Sequence, residues 1–139
     1  MKFRNKEHYP DPTAYEALSK ISSEEKMKAW KPCIFICSPF AGDEEFNTMQ
    51  AKKYMKFAID KGCIPMAPHL LYPQVLDDEN VHERELGLTF GLIWLGKCDE
   101  LWVFGDVIST GMEREIAKAE RRSMPIFYYT ADCKEVTLA

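Results

Sequence analysis

Among the side chains of this sequence, Glu115 is the one whose type and spacing best suit chemistry. It stands in the run Gly111-Met112-Glu113-Arg114-Glu115-Ile116-Ala117-Lys118-Ala119, where Met112, Ile116 and Ala119 recur at helical spacing and mark an apolar stripe. With about 100° of rotation per residue, Glu115 lies about 60° from the centre of that stripe. Arg114 and Lys118 face away, and Glu113 and Glu120 lie on the opposite flank. A carboxylate in the second turn of a helix, beside the buried stripe, is partly desolvated, and such a group can serve as nucleophile, acid or base. The plain alternative is a flanking Glu, placed there because a helix N-terminus favours negative charge.

Three short segments carry the other candidates. They are Ser38–Asp43, Ala67–Gln74 and Gly105–Gly111, and they hold Ser38, Asp43, His69, Asp106, Ser109 and Thr110. His69, in Ala67-Pro68-His69, is expected to titrate near neutrality and so to suit a base or a ligand contact. It fits equally a His hydrogen-bonded within a proline-rich loop. Ser109 precedes a helix, where free N–H groups and the macrodipole suit an anion; a simple N-cap is the other reading. The cysteines Cys33, Cys37, Cys63, Cys98 and Cys133 are odd in number and contain no C-x-x-C pair. They read as reduced, buried structural thiols, and with no His/Cys cluster at zinc spacing no metal is expected.

The elements that must position these residues alternate regularly after Pro32. Cys33–Cys37 (CIFIC) is a wholly apolar strand of the kind buried on both faces. A helix is expected over Asp43–Lys61 with Gly62 as its stop, then a strand over Cys63–Met66 and the loop Ala67–Gln74. A long helix follows from Asp77 or Asp78 to about Gly96, then a strand over Glu100–Phe104, a helix over Gly111–Arg122 and a strand over Met124–Tyr129. Strand–helix alternation with short loops requires right-handed crossovers and a parallel sheet. The expected fold is therefore a small doubly wound, Rossmann- or flavodoxin-like α/β domain of four to five strands over residues 31–139. Residues 1–30 are expected to be an N-terminal helical arm, with one helix from Thr13 to about Lys28 that Asp11 can cap. In such folds ligands bind beyond the carboxyl ends of the strands, where the three polar segments lie.

Composition narrows the ligand. The chain has 139 residues, enough for one domain. Lys and Arg number 18 against 22 Asp and Glu, a net charge of −4 that argues against binding polymeric nucleic acid but leaves room for a single nucleotide. The longest apolar stretch, Leu86 to Leu95, is too short for a membrane span, and no secretory h-region opens the chain. A cytoplasmic protein without membrane contact is expected.

The run Ser109–Ala119, followed by Met124-Pro125-Ile126, resembles the nucleoside 2-deoxyribosyltransferase family, which includes the 2'-deoxynucleoside 5'-monophosphate N-hydrolases. That family has a loop ending in Gly, a nucleophilic Glu four residues on, then Ile or Leu, an Ala four residues after the Glu, and a Pro-led strand about ten residues on. Gly111, Glu115, Ile116, Ala119 and Pro125 meet each spacing; aligning Glu113 instead breaks the last. The stretch Ile34–Asp43 (IFICSPFAGD) resembles the family's first strand and sugar- or phosphate-cradling turn, and Cys98–Val103 the strand that leads to the catalytic loop. The blocks SPF-x-GD, APH and S-x-GM-x-x-E are closest to uncharacterised bacterial and phage relatives, and the likeness runs from about Cys33 to Tyr128.

The resemblance implies cleavage of an N-glycosidic bond, or deoxyribosyl transfer, on a 2'-deoxynucleoside or its 5'-monophosphate. Glu115 would be the nucleophile, and Asp43, His69 or Asp106 the proton donor. Ser38, Pro39, Phe40, Gly42, Asp106, Gly111 and Met112 would contact the substrate, and Ser109 would take a phosphate as in the hydrolases. No cofactor is implied, and a homodimer or larger assembly is. Two departures stand out: Phe35 occupies the place of a Tyr that supports the Glu, and Phe40-Ala41-Gly42 lacks the hydrolases' Arg. Arg84 could supply that cation from the third helix, or be an exposed salt-bridging residue. The alternative function is a non-catalytic nucleotide-binding or sensing module on the same fold.

Overall fold

The alternation of apolar residues in Cys33–Cys37 shows what the sheet must be. In the computed structural model, which describes residues 29–137, this segment is strand β1, and its side chains alternate between two cores. Ile34 and Ile36 point to one face and Phe35 and Cys37 to the other, all of them fully buried. A strand apolar at every position belongs in the middle of a sheet covered on both sides. The chain divides into units 1–30 and 31–139, and this sheet is the centre of the second. The helix expected over Thr13–Lys28 lies outside the described residues.

The elements after β1 are α1 (Glu44–Asp60), β2 (Ile64–Met66), α2 (Pro68–Leu71), a 3-10 turn (Tyr72–Gln74), α3 (Val81–Leu95), β3 (Glu100–Phe104), α4 (Thr110–Arg121), β4 (Ile126–Tyr129) and β5 (Glu135–Val136). The sheet order is β2-β1-β3-β4-β5. β1 pairs in parallel with β2 and β3, and β3 with β4, while β5 is an antiparallel edge on β4. The chain adds β2 on one side of β1 and β3 on the other, so strand order reverses between β1 and β3. In doubly wound sheets that reversal opens a crevice at the strand ends.

Local signals set most boundaries. Asp43 caps α1, its carboxylate accepting the Phe46 N–H at 3.1 Å, and Gly62 ends the turn after it at a φ of +83°. The third helix begins later than Asp77 or Asp78. Asp77 accepts the Glu79 N–H at 2.9 Å and donates its own N–H to Glu83 Oε1 at 2.7 Å, which holds a turn there. Asn80 takes over as the cap, accepting the Glu83 N–H at 3.1 Å. Ala67–Gln74 is not a plain loop: Pro68, with its fixed φ, starts the short helix α2, and the 3-10 turn continues it.

Two helices cover the face of Phe35 and Cys37. Lys118 Nζ of α4 donates to the carbonyl of Leu92, and Arg122 Nη2 donates to the carbonyl of Gly96 at 3.3 Å. Cations from α4 thus satisfy the C-terminal carbonyls of α3, whose own last turn has no basic residue, and tie together the two helices that wall the crevice. Among the described residues no helix is long and apolar enough to cross a membrane.

Candidate functional site

At the strand reversal lies a cleft open to solvent. Phe40, from the turn after β1, forms one wall, and Pro68, His69, Tyr72 and Pro73 form a second. The third is one side of α3, with Glu83, Arg84, Gly87, Leu88 and Gly91, and Leu76 and Asp78 are next to it. Glu115 enters from α4.

The stripe Met112–Ile116–Ala119 is in the core, and it turns Glu115 inward next to Cys37. The Glu115 side chain lines the cleft and is largely enclosed by protein. Burial raises the Glu115 carboxyl from 4.5 to about 7, and a hydrogen bond from the Cys37 thiol partly offsets that rise. The thiol is pushed well above its ordinary range by burial and by the neighbouring carboxylate. A carboxyl that titrates near neutrality at a cleft is equipped to act as nucleophile when ionised and as acid when protonated.

His69 does not titrate near neutrality. Burial lowers it from 6.5 to about 4, so the imidazole is neutral at physiological pH. Its Nε2 is hydrogen-bonded to Ser38 Oγ at 3.0 Å, and Ser38, only 7% exposed, is held behind the ring at the end of β1. Arg84 projects from the first turn of α3, its Nη1 on the Asp78 carbonyl at 3.4 Å. The ion pairs among the described residues, Lys53–Asp132 and Lys56–Asp60, do not involve it. Tyr72 OH accepts the indole N–H of Trp94 at 2.7 Å, which fixes that aromatic wall.

The fold therefore brings Phe40, His69, Arg84 and Glu115 to one cleft, with Ser38 supporting His69. Pro39, Gly42, Asp43, Asp106, Ser109, Gly111 and Met112 are not among its walls. Asp43 is engaged as the α1 cap, and Gly42 is an exposed turn residue at a φ of +100°. Ser109 caps α4, its Oγ accepting the Met112 N–H at 3.3 Å, and Met112 is 1% exposed in the core. Asp106 is exposed on the loop after β3. Of the five cysteines, Cys37 alone is fully buried; the other four are partly exposed.

Sequence reasoning missed Cys37 as a polar partner, Asp78 and Glu83 as cleft carboxyls, and Gly87 and Gly91 as the bare face of α3. The glycine pair did leave a signal. Two glycines one turn apart inside a helix carry a propensity cost of about 1 kcal/mol each, which calls for a spatial reason. Among the described residues no three His, Cys, Asp or Glu side chains are grouped to hold a metal ion.

The fold and cleft define a doubly wound α/β domain with a cleft at its switch point. The chain belongs to the DUF7768 family, a domain of unknown function, whose profile matches residues 32–129. Among solved structures it is similar to a 2-deoxyribosyltransferase from the psychrotolerant bacterium Bacillus psychrosaccharolyticus. That likeness has a TM-score of 0.61 at 16% identity over 77% of each chain, and it establishes a shared fold. No curated protein matches.

Proposed function

We propose that this protein cleaves the N-glycosidic bond of a 2'-deoxynucleoside or its 5'-monophosphate, releasing the base to water or exchanging it for another. The observation that carries the reading is the Glu115 carboxyl, titrating at about 7 in a switch-point cleft whose fold is that of a 2-deoxyribosyltransferase. In the first step ionised Glu115 attacks the anomeric carbon as the bond to the base breaks. A sugar–Glu115 ester forms, and the base leaves with the bonding pair and takes a proton from solvent. In the second step water, or a second base, attacks the same carbon and frees the carboxylate. A carboxylate suits this path because it stabilises the positive charge that develops at the sugar. Neutral His69 contributes a hydrogen bond to the substrate rather than a full proton, and Phe40 and Tyr72 offer faces for the base. A homodimer or larger assembly in the cytoplasm belongs to the same proposal, and light scattering tests the assembly.

The experiment is chromatographic detection of free base from a panel of deoxynucleosides and their 5'-monophosphates. Glu115→Gln is expected to lower turnover about a thousandfold or more. Because the attacking form is the carboxylate, kcat/KM of the wild type is expected to rise with pH through about 7. Absence of base release from every substrate sinks the enzyme reading.

The second reading, a nucleotide-binding or sensing module, draws on two observations. Phe35 is fully buried and brings no hydroxyl to the site, and the Ser109 oxygen already accepts a helix N–H away from the cleft. Ligand-induced thermal stabilisation that persists in Glu115→Gln, with no turnover in the wild type, would establish it.

A further inference from the structure

Ser38 follows β1 with its side chain buried, and its Oγ lies 3.0 Å from Nε2 of His69, 31 residues away along the chain. That distance suits donation in either direction, and the available protons decide between the two. A hydroxyl has one hydrogen to donate, and a neutral imidazole carries one N–H and one bare nitrogen. Among the described residues the imidazole is the sole hydrogen-bond partner of the Ser38 hydroxyl. If Nε2 carried the proton and donated it, the buried hydroxyl hydrogen would have no acceptor, a strongly unfavourable state. If Ser38 donates to a bare Nε2, its hydrogen is used. The ring's own proton then sits on Nδ1, which has no hydrogen-bond partner among the described residues, in a ring that borders the cleft.

Tyr72, three residues further along the same wall, yields a second donor in the same way. Trp94 donates its indole N–H to the Tyr72 oxygen at 2.7 Å, and an indole can only donate. The phenol hydrogen is therefore unspent among the described residues. Tyr72 is also held in place: Phe90 lies 5.3 Å from its ring, and its carbonyl accepts the N–H groups of Val75 and Leu76. Phe40, Pro68, Tyr72 and Pro73 add flat apolar faces to the same part of the cleft, and these suit a planar ring.

Resting on the reading of the cleft as a deoxynucleoside site, we propose that Ser38 is a positioning residue that holds His69 as its Nδ1–H tautomer. His69, together with Tyr72, then donates to acceptor atoms of the base, ring nitrogens or oxo oxygens. Burial keeps the imidazole neutral at physiological pH, so its tautomer sets what it presents to the ligand. No covalent bond forms or breaks at His69, and the ring keeps its proton throughout. As the glycosidic bond breaks, the base takes the bonding pair and its acceptor atoms gain negative charge. The hydrogen bond from Nδ1 therefore strengthens in the transition state. The other tautomer would turn a lone pair toward the same atoms and repel them.

The test uses the full chain as wild type, Ser38→Ala, Ser38→Thr and His69→Asn. Nitrogen NMR of histidine-labelled protein near neutral pH reads which ring nitrogen is protonated, and the His69 signals are those lost in His69→Asn. The wild type is expected to carry the proton on Nδ1. In Ser38→Ala the tautomer ratio is expected to shift about tenfold toward Nε2–H, the equivalent of one hydrogen bond, and Ser38→Thr should keep the wild-type form. A role in packing alone would lower the melting temperature of Ser38→Ala and leave the ratio unchanged. A proton on Nε2 in the wild type, or a ratio that Ser38→Ala does not move, overturns the proposal. Should Ser38→Ala fail to fold, the wild-type tautomer still decides it. Addition of free hypoxanthine, adenine, thymine or cytosine is expected to shift the Nδ1–H resonance for the base that is released. A resonance indifferent to a base the protein does release overturns the donor role. The tautomer needs no turnover to be read, so a failure of the glycosidase reading shows separately, as absent base release.

Discussion

The two faces of the sheet are made by alternate residues of the same strands, yet they carry opposite loads. Under α1, aromatic rings close on one another: Tyr54 stacks on Phe104 at 4.1 Å, and Phe104 and Trp102 lie 5.2 and 5.0 Å from Tyr129. The buried residues of this cluster include no charged side chain. Under α3 and α4, the cluster of Phe35, Leu101, Val103 and Met112 borders Cys37 and the raised carboxyl of Glu115. Burying an ionisable group is unfavourable, so the site face spends stability that the aromatic face supplies. Truncations on the aromatic face should therefore destabilise the protein, and neutralising the buried carboxyl on the other face should do the reverse.

The largest expected effect breaks the aromatic face. Phe104→Ala removes a fully buried ring in contact with Tyr54, Phe57 and Tyr129, and should lower stability by about 3–5 kcal/mol in denaturant unfolding. A loss below about 1 kcal/mol would mean that the two faces do not differ in this way.

The next effect has the opposite sign and sharpens the contrast. The folded state holds the Glu115 proton more tightly than the unfolded chain, 7 against 4.5, so stability falls as pH rises across that window and the loss is complete above about 7. Glu115→Gln removes the penalty and should stabilise the protein by about 2 kcal/mol at pH 8, after discounting for the open cleft, with little change near pH 4. His69 slopes the other way. Its folded value of about 4 lies below the unfolded 6.5, so stability falls as pH drops through that interval, and His69→Gln should flatten this part of the profile. Melting temperatures of the two variants across pH would read both slopes.

The smallest effect concerns the bare face of α3. A methyl group at Gly87 would meet Leu76 Cδ1 at 3.6 Å, an ordinary contact. Gly87→Ala should therefore gain about 0.5–1 kcal/mol through helix propensity while narrowing the cleft. Higher melting temperature with weaker nucleoside binding is the expected pair of results.

Much of the fold was legible because its signals are local. The apolar run of β1, the stripe of α4 and the glycine after α1 each depend on a few neighbouring residues. The site was legible only in part, and Asp43 and Ser109 show why. Both are polar residues at strand ends, as ligand contacts would be, and both put a side-chain oxygen on a backbone N–H three residues on. Capping and ligand binding draw on the same residue types at the same place, so the motif does not separate them. The position of His69 is legible in the sequence and its titration is not, since spacing along a chain says nothing about how deeply a ring is enclosed.

By itself the sequence determined the doubly wound sheet and the inward turn of Glu115, because helical and strand periodicities decide which side chains share a face. Only the tertiary structure decided what Glu115 meets there. Cys37 reaches α4 from 75 residues away along the chain from Met112, and α3 supplies a wall no local motif announces. The environment that moves both titrations arises from contacts between distant elements, and those exist only once the sheet has closed on its helices.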